Sequence, residues 1–259
     1  MNFQLLRHAT CLMTYQNQKI LIDPVFSQKG ALAPIAASPR PRRNPLTELP
    51  LTDSDVQAMI ASLDFVIVTH LHTDHFDPAA VERLPKSMPI LCQPIDETRL
   101  REYGFNNLVP IQDSSVVSGI RVRRFGGHHG KGKISEKMGA VSGFLLSSDQ
   151  EPSIYFPGDT IWCEEVQDAL TSYCPDIVAA FSGAAQFLVG GRITMSVCDI
   201  RKIASAVPRA KLIAVHMEAY NHCMLTRKKL SSFSEKHGFA QRLWIPENGE
   251  ERSYFVPAL

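Results

Sequence analysis

The stretch THLHTDHFD, from Thr69 to Asp77, directly follows the apolar residues FVIV (65–68). It places four candidate metal ligands within six residues: His70, His72, Asp74 and His75. Residues two apart point away from each other on a helix, so we expect an irregular loop at a strand end, where these side chains can converge. Imidazole and carboxylate groups together suit a divalent ion such as Zn²⁺. The stretch therefore predicts a metal site.

Other ligand-type residues also stand at the ends of apolar runs. They are Asp23 after Ile20–Ile22, the pair His128 and His129 after Ile120–Phe125, Asp159 after Ile154–Phe156, and His216 after Leu212–Val215. Enzymes built on sheets commonly assemble their sites at the carboxyl ends of strands. We therefore expect these residues to join the histidine-rich loop in one site.

Capping signals predict several helices. Asp77 followed by Pro78 is typical of a helix start, and Ser196 with Asp199 forms an S-x-x-D capping box. The predicted helices are Ser54–Ser62, Pro78–Leu84, Glu97–Tyr103, Trp162–Leu170, Ser196–Ala206 and Thr226–His237. Strand patterns dominate early in the chain and then mix with helical ones, which favours sheets packed together with helices outside.

The motif H-x-H-x-D-H within THLHTDHFD resembles that of the metallo-β-lactamase superfamily. Within it, the chain is similar to the branch of ascorbate-6-phosphate lactonases and N-acyl-phosphatidylethanolamine-hydrolysing phospholipases, and the match covers most of the chain. Four further segments carry the resemblance: Arg7–Thr10 (RHAT), Leu21–Ser27 (LIDPVFS), Phe156–Thr160 (FPGDT) and Val215–His216. Arg7 departs from the branch, where glycine precedes this histidine, which leaves the role of His8 open.

The resemblance implies an α/β (α+β) fold, a four-layer αββα sandwich, and a site for two adjacent divalent ions. Zn²⁺ is the favoured ion, with Mn²⁺ and Fe²⁺ as alternatives. His70, His72 and a third histidine would bind the first ion, and Asp159 would bridge both. The third histidine is His128 or His129, with His129 favoured because Gly130 follows it. Asp74, His75 and His216 would bind the second ion, with Asp23 supporting the site from behind.

Such a site predicts a hydrolase. Two neighbouring divalent ions lower the pKa of a bridging water towards ~7, so that hydroxide forms at neutral pH. We expect it to attack an ester-like bond, a lactone or a phosphate-bearing ester, of a small anionic substrate, with Asp74, Asp159 and His222 as catalytic residues. One alternative is a phosphodiesterase resembling phospholipases or nucleases. Another is a sensor or binding protein that keeps the metal site without turnover.

Three segments are candidates for substrate binding. The loop 33–50 holds five prolines, which exclude a helix or central strand, together with Arg40, Arg42 and Arg43. These arginines either bind an anionic substrate or are solvated in a connector. Arg192 either binds an anion or caps the following helix. Tyr220 and His222 follow His216 closely, and His222 is either a general acid or part of a turn.

Composition limits the remaining classes. The 259 residues carry 27 Lys+Arg against 26 Asp+Glu, and this balance argues against nucleic-acid binding. No apolar stretch is long enough to cross a membrane, and the first residues do not resemble a signal peptide. Six cysteines lack any C-x-x-C pair, so we expect reduced, mostly buried thiols in a cytoplasmic protein. We predict one domain, 1–259, acting on a small molecule, and the sequence leaves its oligomeric state open.

Overall fold

The computed structural model describes residues 1–255. Its strands are β1 (Asn2–Arg7), β2 (Thr10–Tyr15), β3 (Gln18–Ile22), β4 (Phe65–Val68), β5 (Ile90–Cys92), β6 (Leu108–Pro110), β7 (Ser114–Val117), β8 (Ile120–Phe125), β9 (Gly143–Ser147), β10 (Ile154–Phe156), β11 (Ile177–Phe181), β12 (Gln186–Phe187), β13 (Gly191–Arg192), β14 (Lys211–Val215), β15 (Leu243–Trp244) and β16 (Glu251–Ser253). Its α-helices are α1 (Asp53–Ala61), α2 (Pro78–Arg83), α3 (Glu97–Glu102), α4 (Lys133–Met138), α5 (Glu164–Tyr173), α6 (Val197–Ala206) and α7 (Arg227–Lys236).

Two seven-stranded sheets form the centre of the fold. The first has the order β16-β1-β2-β3-β4-β5-β6 and the second β15-β14-β11-β10-β9-β8-β7. Their inner faces share one core, in which the Phe3 ring lies 6.2 Å from both Phe156 and Trp244 of the other sheet. The two layers are therefore joined by apolar burial, each fully buried side chain of this size contributing about 2 kcal/mol.

Helices cover both outer faces. Along β4, Phe65 and Ile67 point into the core between the sheets, whereas Val66 and Val68 pack under helices α1–α3. This alternation is the two-residue period of a strand that is buried on both faces. Helices α5–α7 pack in the same way on the second sheet. The arrangement is helix, sheet, sheet, helix, which confirms the predicted four-layer sandwich.

Parallel pairing gathers several loops at one edge. Strands β3, β4, β5 and β6 are parallel to one another, as are β10, β11, β14 and β15. Parallel neighbours end on the same side of a sheet, so the loops after β10 and β14 lie together at one edge of the second sheet. The loop after β4 of the first sheet faces them across the sandwich. These loops carry the histidine-rich motif, Asp159 and His216.

The predicted helix starts are confirmed. The Asp77 side chain accepts from Ala80 N at 2.8 Å at the start of α2, and Ser196 with Asp199 forms the capping box of α6. Asp77 also accepts from Phe26 N and Ser27 N at 3.2 and 2.7 Å. The cap of α2 therefore also anchors the segment that follows β3.

The loop 33–50 has no helix or named strand, as its prolines predict. Arg7 is fully buried and donates to the carbonyls of Thr47, Val25 and Ser27 at 3.2, 3.1 and 2.8 Å. A guanidinium needs several acceptors to be buried without a large free-energy cost, and these carbonyls provide them. Arg7 thus fastens the loop to the first sheet.

Two further observations bear on the sequence expectations. Among the described residues, no helix is both long and apolar enough to cross a membrane. All six cysteines are free, but Cys174 and Cys198 are exposed and Cys163 is half-buried, so only half of the thiols are buried as expected.

Candidate metal centre

Asp23 organises the histidine-rich loop from behind. Thr69 donates to its carboxylate through both N and Oγ1 at 2.8 Å, and His75 Nδ1 lies 2.8 Å from the same group. A carboxylate can only accept, so Nδ1 of His75 carries the proton and Nε2 points to the centre of the cluster. This is the contact that orients metal-binding histidines in many proteins.

One set of three imidazoles lies at the first sheet and the loop after β8. The ligand atoms of His70, His72 and His129 all lie within 4.8 Å of one another. His129 Nδ1 faces the Ile193 carbonyl oxygen at 2.8 Å, which leaves Nε2 for the cluster. The loop approaches closely because Gly127 has no side chain, and a Cβ there would lie 3.0 Å from Thr160.

A second set lies deeper between the sheets. The ligand atoms of His8, Asp74, His75 and His216 also lie within 4.8 Å of one another, and all four residues are buried. His75 Nε2 is 3.1 Å from His216 Nε2, which in turn is 3.5 Å from Asp74 Oδ2. Both sheets therefore contribute to this set.

Asp159 stands between the two sets. Its Oδ2 is 3.5 Å from His129 Nε2, and its Oδ1 is 3.2 Å from His216 Nε2 and 3.3 Å from His75 Nε2. The preceding Gly158 has φ of +72°, and a Cβ there would meet the Ser142 carbonyl oxygen at 2.5 Å. The turn that aims Asp159 therefore requires glycine.

The electrostatics of the cluster fit a cation. Burial alone would raise the pKa of Asp159, but His216 and His75 hold it well below its usual range. Burial likewise opposes protonation of His75, yet Asp159, Asp23 and Asp74 raise its pKa to about 10. Within residues 1–255, Asp74 and Asp159 have ion-pair contacts only with histidines, and Asp159 Oδ1 is buried without a hydrogen bond. Buried carboxylates that are paired only with histidines are typical ligands of a divalent ion.

The structure separates His128 from His129. The His128 side chain is 53% exposed and its Nε2 pairs with Glu165 at 3.0 Å, whereas the His129 side chain is 1% exposed and faces the cluster. Adjacent residues of an extended segment point to opposite sides, so only one can reach the site. Of the two alternatives, His129 therefore lies at the cluster, whereas His128 points away from it.

A cavity of about 250 Å³ opens onto both sets. Its polar lining consists of His72, Thr73, Asp74, His129, Asp159 and His222. Its apolar lining consists of Ile35, Leu71, Met138, Phe187 and Ile193. No lysine or arginine from the described part of the chain lines it, so the cavity offers a metal-binding floor and hydrophobic walls.

The arginines predicted to bind substrate lie elsewhere. Arg40, Arg42 and Arg43 are exposed, and Arg43 donates to the carbonyls of Gly30 and Ala31 at 2.6 and 2.7 Å. Only Ile35 of their loop reaches the cavity. Arg192 is also exposed, in a separate cleft of about 420 Å³ that Lys131, Trp162 and Lys202 help to line.

The two remaining predicted residues do lie at the cluster. Tyr220 is buried, with its ring 4.6 Å from that of His8 and its hydroxyl 3.4 Å from the Thr73 carbonyl oxygen. His222 lines the cavity with Nε2 3.4 Å from Asp74 Oδ2. Burial lowers the pKa of His222 to about 4, so its ring is neutral at pH 7.

Sequence reasoning missed other parts of the site. Cys223 is buried with its Sγ 3.7 Å from His216 Nδ1, a contact that its position in the sequence did not predict. The apolar walls formed by Met138 and Phe187 come from a short helix and a two-residue strand that had no sequence signal.

Comparisons with known proteins agree with this geometry. A family model described as a beta-lactamase superfamily domain matches residues 18–217. The UPF0173 protein YddR of Bacillus subtilis (strain 168) is 36% identical over 98% of this chain and 100% of its own length. The crystal structure of an isothiocyanate hydrolase from Delia radicum gut bacteria has a TM-score of 0.93 and 34% identity, and covers 99% of this chain and 100% of that one.

A second solved structure is equally similar in shape. A "possible metal-dependent hydrolase" from Veillonella parvula DSM 2008 has a TM-score of 0.93 and 30% identity, over 98% of this chain and 99% of that one. The similarity to these relatives extends over nearly the whole length of the chain. The chain belongs to the beta-lactamase superfamily and is a metal-dependent hydrolase of that family.

Proposed function

We propose that this chain is a binuclear metal-dependent hydrolase that attacks an electron-poor carbon of a small, largely apolar substrate. The observation that carries the proposal is the cavity of about 250 Å³, whose floor is the His/Asp cluster and whose walls are apolar. Small-molecule sites commonly combine apolar walls with a few convergent polar groups. The polar groups here are the candidate metal ligands themselves.

The contacts support two ions rather than one. His70, His72 and His129 would hold the first ion, and Asp74, His75 and His216 the second. The two oxygens of Asp159 face different sets, Oδ2 towards His129 and Oδ1 towards His216 and His75. A bridging carboxylate has this orientation. Nitrogen-rich ligands with carboxylate favour Zn²⁺, with Mn²⁺ and Fe²⁺ as alternatives.

Bound divalent ions at such a site lower the pKa of a coordinated water towards ~7 and offset negative charge on the reacting group. Asp74 and Asp159, which lie at the cavity floor, would hold the ions and accept a hydrogen bond from the attacking water. Because His222 is neutral at pH 7, it has a single N–H to donate at the cavity and does not act as an imidazolium acid. The apolar walls exclude bulk water, which strengthens these electrostatic contacts.

The cavity lining favours a particular substrate class. Among the described residues, no lysine or arginine lines the walls, so only the ions themselves could pair with a negative charge on the substrate. The similar structure from Delia radicum gut bacteria is an isothiocyanate hydrolase. An isothiocyanate is small, has an electron-poor carbon, and its hydrolysis consumes one water to give an amine and carbonyl sulfide. We therefore propose isothiocyanates with apolar substituents ahead of lactones and other esters.

The test is hydrolysis by the metal-reconstituted protein of three panels: aryl and alkyl isothiocyanates, lactones, and phosphodiesters. We expect turnover of isothiocyanates, lost in Asp159→Asn and retained in the exposed control Asp149→Asn. Turnover of lactones or phosphodiesters alone would overturn the substrate class but keep the hydrolytic site. Equal activity in Asp159→Asn and wild type would overturn the site, and inactivity on all three panels with metal bound would favour the non-catalytic alternative.

A further inference from the structure

His8 occupies a turn that links the two sheets at the metal centre. It lies between β1 and β2 with φ of +61°, a conformation that non-glycine residues rarely adopt. Its carbonyl oxygen accepts from the main-chain nitrogen of His216 at 2.7 Å, although the two residues belong to different sheets. A strained histidine in such a position is a frequent mark of a functional site.

The side chain of His8 contacts two candidate ligands of the second ion. Its ring lies 3.7 Å from the ring of His216, and its Nε2 lies 3.4 Å from Asp74 Oδ2. The residue is fully buried, and the ring of Tyr220 lies 4.6 Å from its own. His8 therefore fixes the relative position of His216 and Asp74 through three separate contacts.

The two ring nitrogens indicate which role His8 has. Its Nδ1 is buried with no hydrogen-bond partner, unlike Nδ1 of His75 and His129, which face Asp23 and the Ile193 carbonyl. A metal-binding histidine almost always has such a partner for its second nitrogen. A histidine that donates from Nε2 leaves only an acceptor unpaired at Nδ1, and burial of a lone acceptor costs less than burial of an unpaired N–H.

We propose that His8 is a positioning residue that donates from Nε2 to Asp74 and so prepares the second metal site. This inference rests on the proposed binuclear site and adds a residue to it. Its consequence is selective: the ion at Asp74, His75 and His216 depends on His8, whereas the ion at His70, His72 and His129 does not.

Two amide substitutions distinguish the effect of the hydrogen-bond donor from the effect of the strained backbone. In His8→Gln the amide nitrogen has the same reach from the main chain as Nε2, so the hydrogen bond to Asp74 is kept. In His8→Asn the same amide is one methylene shorter and cannot reach. Because asparagine tolerates a positive φ better than glutamine, any effect of backbone strain opposes the predicted order.

The experiment is a stepwise Zn²⁺ titration of the full-length protein against a competing chelator. We expect His8→Asn to weaken one of the two binding steps by about ten- to a hundredfold and to leave the other unchanged, with His8→Gln close to wild type. When Co²⁺ replaces Zn²⁺, its d–d absorption should likewise show His8→Gln close to wild type and His8→Asn weakened at one step. Equal losses in both variants would make His8 a direct ligand and overturn the donor role.

Other outcomes are equally decisive. Wild-type affinity in both variants would overturn the inference while leaving the binuclear site intact. Weakening of both steps together would mean general damage to the fold and would also overturn it. Failure of the wild-type protein to bind a second ion at all would instead overturn the proposed function, so the two failures are distinguishable.

Discussion

Individual side chains decide what the histidine-rich loop can bind. The motif alone predicted His70, His72, Asp74 and His75, because four residues that can bind a metal rarely lie so close together for another reason. Spacing could not decide between His128 and His129, since the choice depends on which face of an extended segment turns inwards. Nor could it predict that His8, whose role the sequence left open, would lie against His216, because the contact joins residues more than two hundred positions apart.

Asp23 is the residue whose loss should weaken metal binding without removing a ligand. In Asp23→Asn the carboxylate that orients His75 and holds Thr69 becomes an amide, which has one accepting oxygen and an NH2 group that can only donate. We expect metal affinity to fall by about ten- to a hundredfold, measured by chelator competition. The exposed Asp64, which accepts from Lys19 N, provides the control Asp64→Asn. Equal affinities in the two variants would contradict this role.

Helices and strands were predictable where capping or alternation was strong. Asp77 and the Ser196–Asp199 pair marked helix starts correctly, and the long apolar strands appeared close to their predicted positions. The short elements β6, β12 and β16 had no such signal, because two or three residues are too few to form a period. Since β12 carries Phe187, one wall of the cavity could not be predicted.

The turn after β10 should tolerate no side chain at Gly158. Gly158→Ala adds a Cβ that meets the Ser142 carbonyl oxygen at 2.5 Å at a φ of +72°. Gly119→Ala is a matched control, because φ is +78° but nothing lies within 4 Å of the added atom. We expect a loss of about 1 kcal/mol for the control and about 3 kcal/mol for Gly158→Ala, measured by urea unfolding. Similar losses would show that Gly158 is required only for its backbone conformation.

Asp96, between β5 and α3, should make stability depend on pH away from the metal centre. Burial raises its pKa to about 6 even though Gln93 donates to it. The folded state then holds the proton more tightly than the unfolded state, so unfolding free energy should fall as pH rises from about 4 to 6. In Asp96→Asn this decrease should be smaller and stability at pH 7 higher. Parallel pH profiles of unfolding for the two proteins would contradict the assignment.

At the scale of the whole molecule, the metal centre joins the two sheets. His70, His72, Asp74 and His75 follow the first sheet, while His129, Asp159 and His216 follow the second. The sandwich was predictable from the family resemblance and the order of elements. The distance of Arg40, Arg42 and Arg43 from the cavity was not, because a cluster of charges in the sequence carries no information about where a long loop lies.

Chelation should therefore destabilise the whole sandwich. A ligand present at about 1,000 times its dissociation constant contributes roughly 4 kcal/mol, equivalent to a shift of roughly 10 °C in Tm for a chain of this size. We expect a decrease of this order in calorimetry after metal removal, restored by Zn²⁺. An unchanged Tm in a protein shown to bind metal would mean that the ions do not bridge the layers.

The central claim is that two ions lie in one cluster completed by His129 and not by His128. Its most direct test is the metal content per chain of Zn²⁺-reconstituted wild type, His128→Gln and His129→Gln, measured by inductively coupled plasma mass spectrometry after removal of loosely bound ions. We expect about two ions in wild type and His128→Gln, and about one in His129→Gln. A single ion in the wild type, or equal contents in all three proteins, would contradict the account.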